Sequence, residues 1–251
     1  MHAIILSAGR GSRLLPLTND LPKCLLPIGL TTVLGMQLDT LYAAGVKTAT
    51  VVTGFNAHMV EAELAGRKKG PQVKTLFNPF YQVADNLASC WMARESMQKD
   101  FLLINGDTLF SPNVLEAVLK APKSNIAVTI DKKPHYDGDD MKVTLEDDKL
   151  TAIGKTLSAD ATNGESIGML RFRGQGPKIF TDELERLMRT KDGTRSWFLS
   201  AIDGLAQSGV EINTTLIKGY QWAELDTPED YEVCRAIFGG EEQTRKRFAI
   251  V

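Results

Sequence analysis

The sequence is poor in cysteine and has neither a long hydrophobic run nor a large excess of charge of one sign. Its three cysteines, Cys24, Cys90 and Cys234, are widely spaced and include no CxxC pair, which argues against a disulfide framework and a zinc site. The longest apolar stretches, such as residues 3–6 and 101–104, are far shorter than the roughly 18 residues of a membrane span. The chain also begins without a basic segment followed by an apolar one. We therefore expect reduced, buried thiols, no membrane association, no signal peptide and a cytoplasmic location.

The charges nearly balance, with 29 Lys and Arg against 31 Asp and Glu and a net charge of −2. A nucleic-acid-binding surface would need a basic excess that this balance does not provide. Apolar residues make up 43% of the 251 residues, which is ordinary globular usage and enough for a sizeable core. We therefore expect a folded protein with no nucleic-acid partner.

Short β-like runs alternate with helical patterns in the first half of the chain, which is typical of an α/β fold. Residues 2–7 and 48–53 are β-like runs, and Leu34, Leu38 and Leu41 recur at helical spacing between them. Together they predict a right-handed βαβ unit with a parallel sheet. Further strands are predicted at residues 73–77, 101–104 and 126–130, and helices at 84–97 and 113–120.

The second half predicts a mixed extension of the same sheet. Residues 143–145 and 150–153 flank Asp147 and Asp148 like a β-hairpin. Further strands are predicted at residues 167–172 and 214–217, and helices at 181–189, 197–207 and 228–238, the last with Thr227 as N-cap and Pro228 at its first position. Because no Pro, Gly or Ser-rich linker separates residues 1–131 from residues 132–251, we expect one domain over residues 1–251, with a mixed, mostly parallel sheet flanked by helices.

The densest chemical signal follows the first predicted strand. It reads Leu6-Ser7-Ala8-Gly9-Arg10-Gly11-Ser12-Arg13-Leu14, continuing through Pro16-Leu17-Thr18 to Pro22-Lys23. Glycines after a strand let backbone N–H groups approach phosphate oxygens, and Arg13 and Lys23 add positive charge. The dinucleotide fingerprint would need a third glycine where Leu14 stands, and no Gly-Lys-Ser/Thr of a Walker A loop follows. The two glycines alone also fit an ordinary tight turn, so the interpretation as an anion-binding loop depends on Arg13, Pro22 and Lys23.

This stretch resembles the opening pattern L-A-A-G-x-G-x-R-L-x-P-L-T, followed by P-K, of the nucleotidyltransferases that make activated sugars and alcohols. Only Ser7 departs from it, and the resemblance continues through Asp107 and residues 222–226, so it covers most of the chain. It implies a Rossmann-like (GT-A-like) fold with a nucleotide-binding half at 1–131 and an acceptor-binding half at 132–251, the latter with a smaller β extension. It also implies Arg13 and Lys23 as catalytic cations and a loop that wraps the nucleotide with Leu6, Ala8, Gly9, Gly11 and Ser12.

Two acidic segments are candidates for a metal site. Asp107 closes a strongly apolar predicted strand, and period-two alternation puts Trp222, Glu224 and Asp226 on one face of another. Since Mg²⁺ takes one or two protein carboxylates plus substrate phosphates, we expect Asp107 and Asp226 to bind it, with Glu224 in reserve. The alternative is that Asp226 belongs to the N-terminal cap of the following helix. The resembling family has an acidic metal ligand at this same junction.

Lys142, Lys155 and Glu165 are the candidates for binding the acceptor. The two lysines fall where the predicted hairpin reaches the expected site, and Lys155 is similar in place to the acceptor-phosphate lysine of the family. Glu165 could bind hydroxyl or amine groups. The acidic turn at residues 137–140 is either a solvated loop or, with Tyr136, a border that presents negative charge to a cationic head group.

Asn86 and Ser89 stand in the segment in which this family binds the nucleotide base. The sugar-nucleotide enzymes of the family have a Gln and a Gly-rich turn there. This Asn-x-x-Ser resembles the cytidylyltransferases that act on phosphocholine and related phosphates or phosphonates. The resemblance implies transfer of CMP from CTP to a small phosphate or phosphonate acceptor, with release of pyrophosphate and with Mg²⁺ as cofactor. A sugar-1-phosphate uridylyl- or thymidylyltransferase and a non-catalytic nucleotide-binding module are the alternatives. The acceptor and the oligomeric state stay open, and a homo-oligomer is one alternative.

Overall fold

Most of the apolar runs predicted as strands join one nine-stranded sheet in the computed structural model, which describes residues 1–240. Residues 241–251, the end of the predicted second half, lie outside the described residues. The strands are β1 (His2–Ser7), β2 (Pro27–Ile28), β3 (Thr31–Thr32), β4 (Thr48–Thr53), β5 (Gln72–Phe77), β6 (Phe101–Asn105), β7 (Thr108–Phe110), β8 (Ile126–Asp131), β9 (Lys142–Glu146), β10 (Lys149–Gly154), β11 (Gly164–Phe172), β12 (Asn213–Leu216) and β13 (Trp222–Glu224). The helices are α1 (Val33–Ala43), α2 (Ala57–Gly66), α3 (Asn86–Met92), α4 (Pro112–Lys120), α5 (Gly176–Met188), α6 (Leu199–Gln207) and α7 (Pro228–Phe238).

The large sheet has the strand order β5-β4-β1-β6-β11-β8-β12-β10-β9. Strands β5, β4, β1 and β6 are parallel, as the βαβ pattern predicts, whereas β11 runs antiparallel between β6 and β8. Strand β9 also pairs with the beginning of β11, so the β extension curls back on the sheet. The mixed α/β fold expected from the sequence is therefore confirmed, with its parallel part concentrated in the first half.

The core lies on both faces of this sheet because residues 101–104 of its central strand β6 are all apolar and buried. Along β6, Phe101 and Leu103 belong to the core on one face, and Leu102 and Ile104 belong to the core on the other. Parallel strands covered by helices on both faces show such continuous apolar runs. All three cysteines are buried, as expected.

The predicted hairpin and the last helix form as expected. Asp147 and Asp148 have φ angles of 49° and 61°, the left-handed values of a two-residue hairpin turn between β9 and β10. Thr227 caps α7 by accepting a hydrogen bond from the backbone N–H of Asp230. Within residues 1–240, no helix combines the length and the apolar character needed to cross a membrane.

Several element boundaries differ from the predictions for local reasons. The helix predicted at residues 84–97 is shorter, since α3 ends at Met92 and a 3-10 turn follows at Ala93–Ser96. Helix α5 begins at Gly176, five residues before its predicted start. Helix α2 was not predicted, because Val60 is its only buried residue and no apolar stripe marks it.

Candidate active site

A cavity of about 450 Å³ opens where β1 and β6 end. This is the edge of an open α/β sheet at which ligands usually bind. The predicted site residues on its wall are Leu6, Ala8, Gly9, Gly11, Ser12, Arg13, Lys23, Asn86, Ser89, Asp107, Lys155, Glu224 and Asp226. Lys142 and Glu165 are not on this wall. The structure thus brings together most of the predicted residues, which come from distant parts of the chain.

The glycine loop forms one side of the cavity. Gly11 has a φ of 75°, and a Cβ added there would lie 3.0 Å from Cβ of Lys23, so the loop packs directly on the stem of this lysine. A Cβ added at Gly9 would meet no atom within 4 Å and would project into open space. Leu14, which stands where a third glycine would be, is fully buried in a core next to α7. The loop therefore leaves room for a ligand at Gly9 and fixes Lys23 at Gly11.

Lys23 connects two carboxylates at the centre of the cavity wall. Its Nζ donates hydrogen bonds to Oδ2 of Asp107 and to Oδ1 of Asp226, both at 2.6 Å. Arg13 donates to the other oxygen of Asp226 at 2.8 Å. Burial alone would lower the pKa of Lys23, but the attraction of the two carboxylates outweighs it and raises this pKa. Burial would raise the pKa of Asp226, but Lys23 and then Arg13 outweigh it and lower this pKa. Lys23 and Asp226 are therefore both charged at neutral pH.

Asp226 is available to these cations because other residues cap α7. The carboxylate of Asp230 accepts hydrogen bonds from the backbone N–H groups of Thr227 (2.8 Å) and Asp226 (3.1 Å), and Thr227 completes a capping box. The side chain of Asp226 takes no part in the cap. The alternative that Asp226 belongs to the N-terminal cap of α7 therefore holds for its backbone N–H, whereas its side chain bonds to the two cations.

The Asp107 and Asp226 pair fits a magnesium ion in its chemistry. Both offer hard oxygen ligands and already share one cation, and the buried Oδ1 of Asp107 has no hydrogen-bond partner within the described range of residues 1–240. In the part of the chain that the structure describes, no three metal-ligating side chains come close enough to hold an ion. Glu224 therefore lines the same cavity without completing a three-carboxylate site. Burial, followed by the charges of Asp107 and Asp226, raises the pKa of Glu224 to about 8.

The acidic turn reaches the cavity through Asp139. Its carboxylate pairs with Arg13 and with Lys155, each at 3.2 Å, although its side chain is 72% exposed. The Nζ of Lys155 also lies 5.0 Å from the ring centre of Trp197, which lines the cavity as well. Of the two interpretations of this turn, the position of Asp139 supports the one in which the turn borders the site. Sequence reasoning left this residue open and did not assign Trp197 to the site, because a lone tryptophan outside a motif is more often a core residue.

Lys142 and Glu165 lie behind the wall and support it. The Nζ of Lys142, a buried residue, donates to the backbone oxygen of Lys155 at 2.8 Å. Glu165 pairs with Lys133 at 3.0 Å, and Lys133 pairs with Asp140 at 2.8 Å. The geometry shows these two predicted acceptor-binding residues holding the β extension in place rather than facing the cavity.

Asn86 and Ser89, the two residues predicted to bind the nucleotide base, lie on the cavity wall and also anchor neighbouring elements. Oγ of Ser89 accepts a hydrogen bond from Nδ2 of Asn78 at 2.9 Å. Oδ1 of Asn86 accepts one from the backbone N–H of Phe198 at 2.8 Å. The first turn of α3 is thereby tied to the segment that carries Trp197. The hydroxyl hydrogen of Ser89 and the amide NH₂ of Asn86 remain as donors on the cavity side.

Comparison with known proteins identifies a family over more than half of the chain. Residues 2–139 match the family model described as nucleotidyl transferase. The chain is 29% identical to CMP-5′-(3-aminopropyl)phosphonate synthase of Streptomyces rubellomurinus, over 92% of this chain and 37% of that protein. It is 25% identical to CTP:phosphoglutamine cytidylyltransferase of Campylobacter jejuni, over 93% of this chain and 98% of that protein. It therefore spans little more than a third of the first relative and nearly all of the second.

A solved structure has the same fold. The inositol-1-phosphate CTP transferase from T. maritima superposes with a TM-score of 0.80 and covers 95% of both chains at 18% identity. At this identity the likeness concerns the fold alone.

Glu165 should make the stability of the protein depend on pH. Burial raises its pKa to about 7 from 4.5, although Lys133 opposes the shift. Because the folded state holds this proton more tightly than the unfolded chain, the carboxyl destabilises the protein as the pH rises through this range. Between about pH 5 and about pH 8, Glu165→Gln should therefore lose less free energy of unfolding than the wild type, by about 1–2 kcal/mol. Urea unfolding at both pH values measures the difference, and equal losses would contradict the prediction.

Proposed function

Because this chain belongs to the nucleotidyl transferase family, we propose that it transfers CMP from CTP to a small phosphate or phosphonate acceptor and releases pyrophosphate. The observation that carries the proposal is the meeting, in one cavity, of the glycine loop, the cations Arg13 and Lys23, and the Asp107 and Asp226 pair. Fixed positive charge and free backbone groups suit a triphosphate, and a carboxylate pair suits its metal ion.

The choice of CTP is supported by the relatives and by the base end of the cavity. Both relatives are named for CMP or CTP chemistry, on a phosphonate in one case and on phosphoglutamine in the other. Asn86 and Ser89 present an amide NH₂ and a hydroxyl on the cavity wall. Cytosine offers the O2 and N3 acceptors for such donors.

The reaction is an in-line displacement at the α-phosphorus. An oxygen of the acceptor phosphate forms the new O–P bond while the bond from the α-phosphorus to the oxygen bridging to the β-phosphate breaks. Pyrophosphate leaves with that electron pair. The attacking oxygen is already ionised at neutral pH, so the step needs no general base and rests on positioning and charge neutralisation. Arg13 and Lys23 bind the triphosphate, and Lys155 binds the acceptor phosphate.

The free protein keeps these cations paired before substrate arrives. Arg13 and Lys23 share Asp226, and Arg13 and Lys155 share Asp139. Binding of the nucleotide and the acceptor exchanges carboxylate partners for phosphate oxygens. Asp107 and Asp226 are the residues that hold magnesium, which supplies neutralisation of phosphate charge when it is bound.

The direct test is a pyrophosphate-release screen with MgCl₂ that crosses four nucleoside triphosphates with a set of acceptors. The acceptors are phosphocholine, phosphoethanolamine, 2-aminoethylphosphonate, polyol phosphates and hexose 1-phosphates. We expect release with CTP and one of the non-sugar acceptors. A preference for UTP or dTTP with a hexose 1-phosphate would instead identify a sugar-1-phosphate nucleotidyltransferase. No release with any pair would contradict the enzymatic proposal and favour a non-catalytic nucleotide-binding module.

Gly9→Ala should weaken nucleotide binding without unfolding the protein. The new methyl group meets no protein atom within 4 Å, so it occupies the space in which the phosphates would lie. Removing close backbone contacts to the triphosphate should weaken CTP binding by roughly 10-fold or more. Gly66→Ala is the matched control, because a Cβ there also meets nothing within 4 Å and Gly66 is the last residue of α2, off the cavity wall. Calorimetric titration measures both, and equal affinities would contradict the role of the loop.

A further inference from the structure

Asn105 is a polar residue at the floor of the cavity for which the proposed reaction has no role so far. It is the last residue of β6, with Leu6 of β1 as its register partner on one side and β11 on the other. Because side chains alternate along a strand, it lies on the same sheet face as Phe101 and Leu103. The core on that face also contains Leu87 of α3, the helix that begins with Asn86.

The neighbouring strand leaves a notch for the side chain of Asn105. Gly168 of β11 has a φ of 72°, and a Cβ added there would lie 2.5 Å from Nδ2 and 2.8 Å from Cγ of Asn105. The pairing of β11 with β8 also shifts register between Ser166 and Leu170, around this glycine. Only glycine fits this position without displacing the amide. The local structure of β11 is therefore adapted to the side chain of Asn105.

The side-chain oxygen of Asn105 is buried at this notch. Among residues 1–240, no group donates a hydrogen bond to this Oδ1, whereas the backbone oxygen of the same residue accepts one from Nε2 of Gln37 at 2.8 Å. Nearly all buried side-chain oxygens in proteins are paired, and an unpaired one costs stability. The backbone of Asn105 thus supports the fold, whereas nothing in the fold explains why its side-chain oxygen is buried at the cavity.

We propose that Asn105 determines specificity at the nucleotide site, and that its side-chain oxygen accepts a hydrogen bond from a ribose hydroxyl of the bound nucleoside triphosphate. This inference rests on the proposed function. An amide oxygen only accepts, so its partner must be a donor, and ionised phosphate or phosphonate oxygens offer none. The ribose joins the base to the triphosphate, and Asn105 lies on the same cavity wall as Asn86 at the base end and Gly9 in the phosphate loop.

The test measures equilibrium binding of CTP, 2′-deoxy-CTP and 3′-deoxy-CTP with MgCl₂ and without acceptor. The wild type should bind one of the two deoxy analogues about 3- to 10-fold more weakly than CTP, as expected for one lost hydrogen bond. Asn105→Ala should weaken CTP binding by a similar factor and leave the affinity for that analogue unchanged. Asn113→Ala, which alters an exposed asparagine of α4 off the cavity wall, should change none of the affinities.

The outcomes separate this inference from the proposed function. Equal affinities of the wild type for all three nucleotides would overturn the ribose contact whatever the variants do. If Asn105→Ala lost equal affinity for all three nucleotides, Asn105 would contact the base or support the fold, which would overturn the ribose contact. If its nucleotide affinities were unchanged and its KM for the acceptor were raised, Asn105 would contact the acceptor, which would also overturn the inference. Tighter binding of UTP than CTP would contradict the cytidylyl proposal alone. The inference about Asn105 would then be tested by comparing UTP with its 2′-deoxy and 3′-deoxy analogues. Absence of binding by any nucleoside triphosphate would overturn both.

Discussion

The cavity depends on the balance between one partly buried ammonium and two carboxylates that come from distant parts of the chain. Lys23 follows the glycine loop, Asp107 follows β6, and Asp226 precedes α7. Removing one partner of a buried ion pair leaves an uncompensated charge, which typically costs about 3–5 kcal/mol. These two ion pairs therefore hold the glycine loop, the central sheet and the last helix in one arrangement. The same charges are those that a magnesium triphosphate would engage.

The arrangement extends from this centre to both ends of the cavity. Arg13 links Asp226 to Asp139, and Asp139 links Arg13 to Lys155, so one chain of ion pairs runs from the glycine loop to the β extension. Asn86 also accepts a hydrogen bond from the backbone N–H of Phe198, which follows Trp197 on the cavity wall. Exposed pairs such as that of Asp139 contribute little to stability, since solvent screens them. In the proposed reaction these pairs would exchange for contacts with phosphate oxygens.

The sequence predicted the features that short-range patterns encode. The apolar runs of β1, β4 and β6, the hairpin turn at Asp147 and Asp148, and the Thr227 cap all depend on neighbouring residues, and the structure has them. The glycine loop carried the family resemblance, which the comparisons confirm. The roles of the individual site residues and of magnesium stay predictions.

The remaining features depend on contacts between distant segments. Lys142 and Glu165 are register partners on β9 and β11, and side-chain alternation puts them on the face opposite their neighbours Met141 and Ser166, which line the cavity. The role of Asn105 was invisible because the notch at Gly168 belongs to another strand. Helix α2 lacked a signal because it buries too little apolar surface. Periodicity describes the face that a residue occupies on its own element but not what a second element places opposite it.

The central claim is that the ammonium of Lys23 is needed for nucleotidyl transfer in this cavity. The decisive measurement is the rate of pyrophosphate release by Lys23→Met, with CTP and the acceptor that the wild type uses best, alongside Lys178→Met as an exposed control. Methionine keeps an unbranched apolar stem beside Gly11 and removes the ammonium together with its hydrogen bonds to Asp107 and Asp226. We expect the rate of Lys23→Met to fall by about 100-fold or more while Lys178→Met stays at the wild-type rate. A folded Lys23→Met protein with a rate within about 2-fold of the wild type would contradict the account.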